Sequence, residues 1–186
     1  MVDSRIFIVA EELMNKLKRI TSEYIEAEDR IRIAGLTEQN KTLSLWLTMR
    51  LTSRLVAHCI ALLGKHSPEL AKATTNDDQL KNNLQGLVQH SAEQEIVEQP
   101  AVSVTENSLS LLIKEINVTT SNGGVLMAFK ENETSSYELY LESNQLRQWL
   151  GMLYHIWQKA EWPLHIWPDW MDKSTGSVIS ETTSIH

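Results

Sequence analysis

The sequence predicts an α+β fold in which an antiparallel sheet, built from a hairpin plus a three-stranded meander, is covered by amphipathic helices. Three observations carry this expectation. Apolar and polar residues alternate over residues 31–47 and again within 102–141, the period of a strand with one buried face. Apolar residues recur at three to four residue spacing over 51–63, 80–88 and 146–157, the period of a helix. Turn-forming clusters, above all Asn122, Gly123 and Gly124, separate the strand-like runs.

Val9, Leu13, Leu17 and Ile20, with Met14 beside them, are spaced as on one face of a helix between Ile8 and Ile25, with a short strand over Arg5 to Val9 as the alternative. Ile31 and Ile33, then Leu43, Leu45 and Leu47, flank the polar stretch Thr37 to Lys41 and predict a hairpin. Thr48 stands three residues before Leu51, where its hydroxyl can cap a helix that carries Leu51, Leu55, Cys59, Leu62 and Leu63 on one side. Gly64 and Pro68 are expected to close that helix. A second helix begins near Asn76 or Asp77 and turns Leu80, Leu84, Leu87 and Val88 inward, and Pro100 stops the polar run after it. Three antiparallel strands fit the chain between Val102 and Leu141, broken at Ser121 to Gly124 and Glu131 to Ser135. Ser143 or Asn144 caps a helix with Leu146, Trp149, Leu150, Leu153, Tyr154 and Trp157 on one side, which Pro163 prevents from continuing. The expected organisation is a single domain over residues 1–172, followed by a flexible tail over residues 173–186 that lacks periodicity.

Two passages echo one another. Leu43 to Leu63 and Tyr137 to Trp157 both run from an alternating strand through a hydroxyl residue into an apolar helix. Thr48 matches Ser143, Leu51 matches Leu146, Leu55 matches Leu150 and Leu62 matches Trp157, while Leu45 and Leu47 match Leu139 and Leu141 with a one-residue offset. Two hairpin-helix units sharing one sheet would produce this, although strand, cap and helix is also a common succession. The order of elements over residues 28–160 resembles the head domains of end-joining and centriolar scaffold proteins. That resemblance implies a dimerising structural module without catalysis.

Composition narrows the functional classes. The formal charge of −7 works against a general affinity for phosphate backbones or anionic membranes. Cys59 is the lone cysteine, so no intramolecular disulfide forms. The first residues lack the basic start of a signal peptide, and no stretch reaches the ~18 apolar residues of a spanning helix, so a cytoplasmic setting is expected.

No motif predicts a catalytic residue, a metal site or a cofactor. Adjacent residues on a helix diverge by about 100°, so His58 does not activate Cys59. His58, His66, His90, His155, His165 and His186 form no close ligand pair. Glu23, Glu26, Glu28 and Asp29 lack the spacing of a calcium loop and suit a solvated linker between a helix and a strand. Gly123 and Gly124 precede no helix and read as a turn.

Two features remain. Arg30, Arg32, Arg50 and Arg54 form a candidate nucleic-acid contact if they share a face. Trp162, Trp167 and Trp170, crowded with Pro163 and Pro168 after a helix that already carries Trp157, need apolar cover, either as a lid on their own chain or at a contact with another. The functional expectation is a non-enzymatic protein-interaction or assembly module. Homodimerisation through Trp157, Trp162, Trp167 and Trp170 is one form of it, and the partner is a protein or a second copy rather than a membrane. A nucleic-acid-binding accessory protein using the arginines is the alternative, and an enzyme with a site dispersed in sequence is the third.

Overall fold

A computed structural model describes residues 16–66, 78–121 and 123–172. The fold is α+β, and the described residues form three α-helices and a seven-stranded sheet of order β4-β3-β2-β1-β7-β6-β5. The strands are β1 (Lys16–Ile25), β2 (Arg30–Thr37), β3 (Thr42–Thr48), β4 (Leu109–Leu112), β5 (Glu115–Ser121), β6 (Gly124–Lys130) and β7 (Ser136–Glu142). The helices are α1 (Met49–His66), α2 (Asp78–Gln94) and α3 (Ser143–Lys159). The chain divides into a sheet unit, Met1–Thr52 with Glu98–Glu142, and a helical unit, Ser53–Val97 with Ser143–His186.

The sheet is mixed, which corrects the expected antiparallel one. Hairpin pairings are antiparallel as predicted, but β3 pairs with β4, and β1 with β7, in parallel. Both parallel ladders join strands far apart in sequence, which hydrophobic period and turn chemistry do not encode. A second correction concerns Lys16–Ile25, expected on a helix and found as a strand paired along its length with β2. Only Leu17 and Ile20 of the helix-spaced residues fall in this strand; Val9, Leu13 and Met14 lie outside the described residues. Ile20, Thr21, Tyr24 and Ile25 favour extended backbone, and the ladder to β2 decides the matter.

The sheet curls until its two outer strands meet. Laid flat, seven strands would hold their outer members about 29 Å apart at about 4.8 Å per spacing. Leu112 and Glu115 end β4 and begin β5 only three residues apart, a reach of about 11 Å at most. The linking amides show the closure: Ile113 N–H donates to the Trp46 carbonyl in β3 at 3.0 Å, and Lys114 N–H to the Lys130 carbonyl in β6 at 2.9 Å. Consecutive N–H groups of an extended chain point to opposite sides, so β4 and β5 are two halves of one strand, with β3 on one side and β6 on the other.

The echo in sequence has a counterpart in register. Leu17 pairs with Leu139, and Leu45 with Leu111. Adding 94 to 17 and 45 gives 111 and 139, so the two contacts are the same contact in two copies. The same shift carries Ile31, Ile33 and Leu47 onto Val125, Met127 and Leu141, all of them buried. Both halves are thus a three-stranded meander that leads into a helix.

Turn chemistry fits these strands. Gly123 has φ +84°, a left-handed conformation, between Ser121 and its partner Gly124. Any side chain at Gly124 would collide with the Leu141 carbonyl and the Tyr140 ring, which explains a glycine within a strand. Thr48 caps α1 as expected, its hydroxyl accepting from the Leu51 N–H at 3.3 Å. Gly64 does not close that helix, which runs on to His66; Pro68, the caps at Asn76 and Asp77, and the 173–186 tail lie outside the described residues.

The strap and polar seam as the candidate functional site

Helix α3 buries the predicted side, with Leu146, Trp149, Leu150, Leu153, Tyr154 and Trp157 all inside. It ends in a Schellman turn: Glu161 takes a left-handed φ of 54°, its N–H donates to the Gln158 carbonyl at 3.1 Å, and the Trp162 N–H reaches back to the Trp157 carbonyl at 3.3 Å. This geometry brings the Trp162 ring onto Trp157, edge to face, with centroids 4.8 Å apart. Pro163 directs the chain onward, and its carbonyl accepts from the Trp157 indole N–H at 3.0 Å. Trp167 then packs edge-on against Trp157 at 5.7 Å and Tyr154 at 5.2 Å. Trp157, Trp162 and Trp167 retain only 1%, 6% and 8% exposure within their own chain. The Trp167 indole nitrogen is buried without a hydrogen-bond partner.

Trp170, half-buried, completes the strap. Its ring lies 5.9 Å from the Arg147 guanidinium of α3, and its Cβ and carbonyl each lie 3.7 Å from where a side chain on Gly86 of α2 would begin. The Pro-rich segment therefore runs from the end of α3 across to α2.

Beneath it, α2 shows its faces reversed from expectation. The buried residues are Gln85, Gln89 and Ala92, whereas Leu80 and Leu87 are 43% and 58% exposed and Leu84 and Val88 are half-buried. Polar pairing accounts for the inversion. Arg147, only 4% exposed, donates to the Gln85 side-chain oxygen at 2.6 Å, and its own carbonyl accepts from the Gln89 amide at 2.9 Å. Gln89 also donates to Glu93 at 3.0 Å, and Gln85 to the Leu63 carbonyl of α1 at 3.4 Å. Gly151 admits this approach, since a methyl group there would press on the Glu93 carboxylate and the Gln89 amide. Gln148 and Asn144 extend the seam to the Ala92 carbonyl and to Glu95. A buried guanidinium requires hydrogen-bond acceptors, and Gln85 of α2 supplies one, while Gln89 satisfies the Arg147 backbone carbonyl. Apolar spacing alone could not show this; the Gln85, Gln89 pair at i, i+4 was the available signal.

The four arginines are distributed differently. Arg30 and Arg32 share the solvent side of β2. Arg32 donates twice to Glu23 on β1, at 2.7 and 2.9 Å, and lies 5.7 Å from the Trp46 ring, while Arg30 pairs with Glu28 at 3.4 Å. Arg50 and Arg54 are exposed one turn apart on α1. Of the acidic cluster, Glu23 lies on β1, whereas Glu26, Glu28 and Asp29 form the turn between two strands, not between a helix and a strand, and Asp29 accepts from the Tyr24 hydroxyl at 3.0 Å.

His58, His90, His155 and His165 are exposed, on α1, α2, α3 and the strap. Cys59 is fully buried, and burial pushes its thiol up to about 12 from an ordinary 9.0. Among the described residues no group of three or more His, Cys, Asp or Glu is placed to hold a metal ion, and no helix is long and apolar enough to cross a membrane. No family model, curated protein or solved structure matches the chain, so its function rests on its own geometry.

Proposed function

We propose that the chain is a non-catalytic protein-interaction module whose contact surface is the outward side of α2, held in presentation by the tryptophan strap. One observation carries this reading: α2 buries glutamines and offers leucines to solvent. Leu80, Leu84 and Leu87 follow four-three spacing, the seam that packs against another helix. Ile96 and Val97, just beyond α2, are exposed as well. An apolar stripe bordered by Lys81, Asn83 and His90 suits an amphipathic partner helix.

In this reading the aromatic residues support the interface instead of forming it. Trp157, Trp162 and Trp167 fix the strap, and Trp170 holds Arg147 and α2 in place. The nucleic-acid alternative draws less support, because two of its four guanidiniums already face carboxylates. A lone buried thiol that needs no oxidising compartment suits a cytoplasmic setting.

The test compares the immobilised natural chain with a Leu80→Glu/Leu87→Glu variant of matching circular dichroism. Proteins retained from a cell extract are identified by mass spectrometry. The reading expects a protein that binds the natural chain directly when purified and binds the variant at least about tenfold more weakly. Equal affinity for both chains would remove α2 as the contact surface.

A further inference from the structure

The closing strand leaves part of itself open. β4 and β5 are halves of one strand, and β3 pairs only with the first half. Glu115–Ser121 consequently has a ladder with β6 alone, and among the described residues no strand occupies its other side. The other half of the molecule provides an internal control. β7 pairs only with Lys16 and Leu17, so most of β1 is likewise bonded on one side. That edge carries Lys18, Arg19 and Glu23, charges of the kind that discourage strand addition, and Val102 N–H docks on the Thr21 hydroxyl at 2.9 Å. β5 carries one charge, Glu115 at its start, and no proline; the rest is Ile-Asn-Val-Thr-Thr-Ser. Exposure follows suit, with Asn117, Thr119, Thr120 and Ser121 all open to solvent while β1 is half-buried from Arg19 to Ile25.

We infer that the outer edge of β5 pairs with the β5 edge of a second copy, antiparallel about Val118. A two-fold axis through an antiparallel pair keeps the faces of both sheets aligned and centres the register on a residue. Centred on Val118, the register sets Ile116 opposite the second copy's Thr120 and extends the half-buried face across the junction. It sets Asn117 opposite Thr119, and Glu115 opposite Ser121, so the single carboxylate never meets its own copy. With Glu115 the single charge of this edge, a second copy brings no like-charge pair to the register, so the strand is compatible with itself. The inference is independent of α2.

Sedimentation velocity from micromolar to several hundred micromolar tests it with three chains. The natural chain should show a reversible rise toward twice the monomer mass. Asn117→Lys/Thr119→Lys sets lysine against lysine at both symmetry-related positions and should weaken the dimer by about tenfold or more. Asn117→Lys/Thr119→Glu sets opposite charges there and should restore or exceed natural association. Both substituted positions are exposed, and circular dichroism melts verify that each chain is folded. A natural chain that stays monomeric throughout, or three chains that associate equally, would overturn the inference.

Discussion

Helices α2 and α3 lie against each other and yet bury opposite kinds of surface. α3 buries Leu146, Leu150, Leu153 and two tryptophans, whereas α2 buries two glutamines and an alanine. The difference originates in one residue. Arg147 sits on the apolar side of α3, and a buried guanidinium must be met by acceptors. α2 meets it with Gln85, while Gln89 binds the Arg147 carbonyl. With Gln85 and Gln89 committed inward, α2 leaves Leu80 and Leu87 exposed among its remaining polar residues. A polar seam of this kind specifies one alignment of two helices more sharply than greasy contact does, because a shift of one residue would leave several hydrogen bonds unmade.

The contrast can be broken at graded points. Truncation of α3's apolar anchor has the largest expected effect: Trp157→Ala removes the ring that Trp162 and Trp167 pack on and the donor to Pro163, and urea denaturation should show a loss of about 3–5 kcal/mol. Arg147→Ala should lower stability by about 2–4 kcal/mol, since it strands the Gln85 acceptor. Arg147→Leu combined with Gln85→Leu should lose distinctly less than the sum of the two single changes; simple additivity in that cycle would show that the seam does not act as a unit.

Cys59 on α1 tests the apolar side by pH. Its folded thiol keeps a proton to about pH 12, whereas the unfolded chain releases it near 9.0. The folded state then binds more protons between these values, so stability falls as pH rises from 9 toward 12, by up to about 1.4 kcal/mol per unit. A Cys59→Ala variant should show a shallower slope over that window, and parallel slopes would contradict the assignment. The smallest effect belongs to α2's outer side, where Leu87→Gln should change stability by no more than about 0.5 kcal/mol although Leu87 was expected in the core. A loss above about 2 kcal/mol would mean that Leu87 is buried after all.

What could be read in the sequence was local. The Thr48 cap, the reversal between Ser121 and Gly124, the 30–48 hairpin and the buried side of α3 all rest on neighbours within a few residues, and all are found. β1 departs from the helical spacing of Val9, Leu13, Leu17 and Ile20 because Thr21, Tyr24 and Ile25 favour extended backbone and the distant partner strand is not visible in local periodicity. The parallel ladders were invisible because each joins positions more than sixty residues apart, such as Trp46 and Leu112. In the candidate site, a crowded aromatic segment was recognisable, but its direction was not. The Schellman turn at Glu161 folds it back onto Trp157, and a left-handed glutamate gives less warning than a glycine would.

The contact between Leu17 and Leu139 has a bearing on synthesis at the ribosome. The first described strand has to wait for the seventh before its inner end can be paired, so a nascent chain holds an incomplete sheet until more than a hundred further residues have emerged. Hairpin 30–48 can form early, but the ring has no clasp until translation has passed residue 142, and refolding from denaturant should be correspondingly slow for a chain of this length.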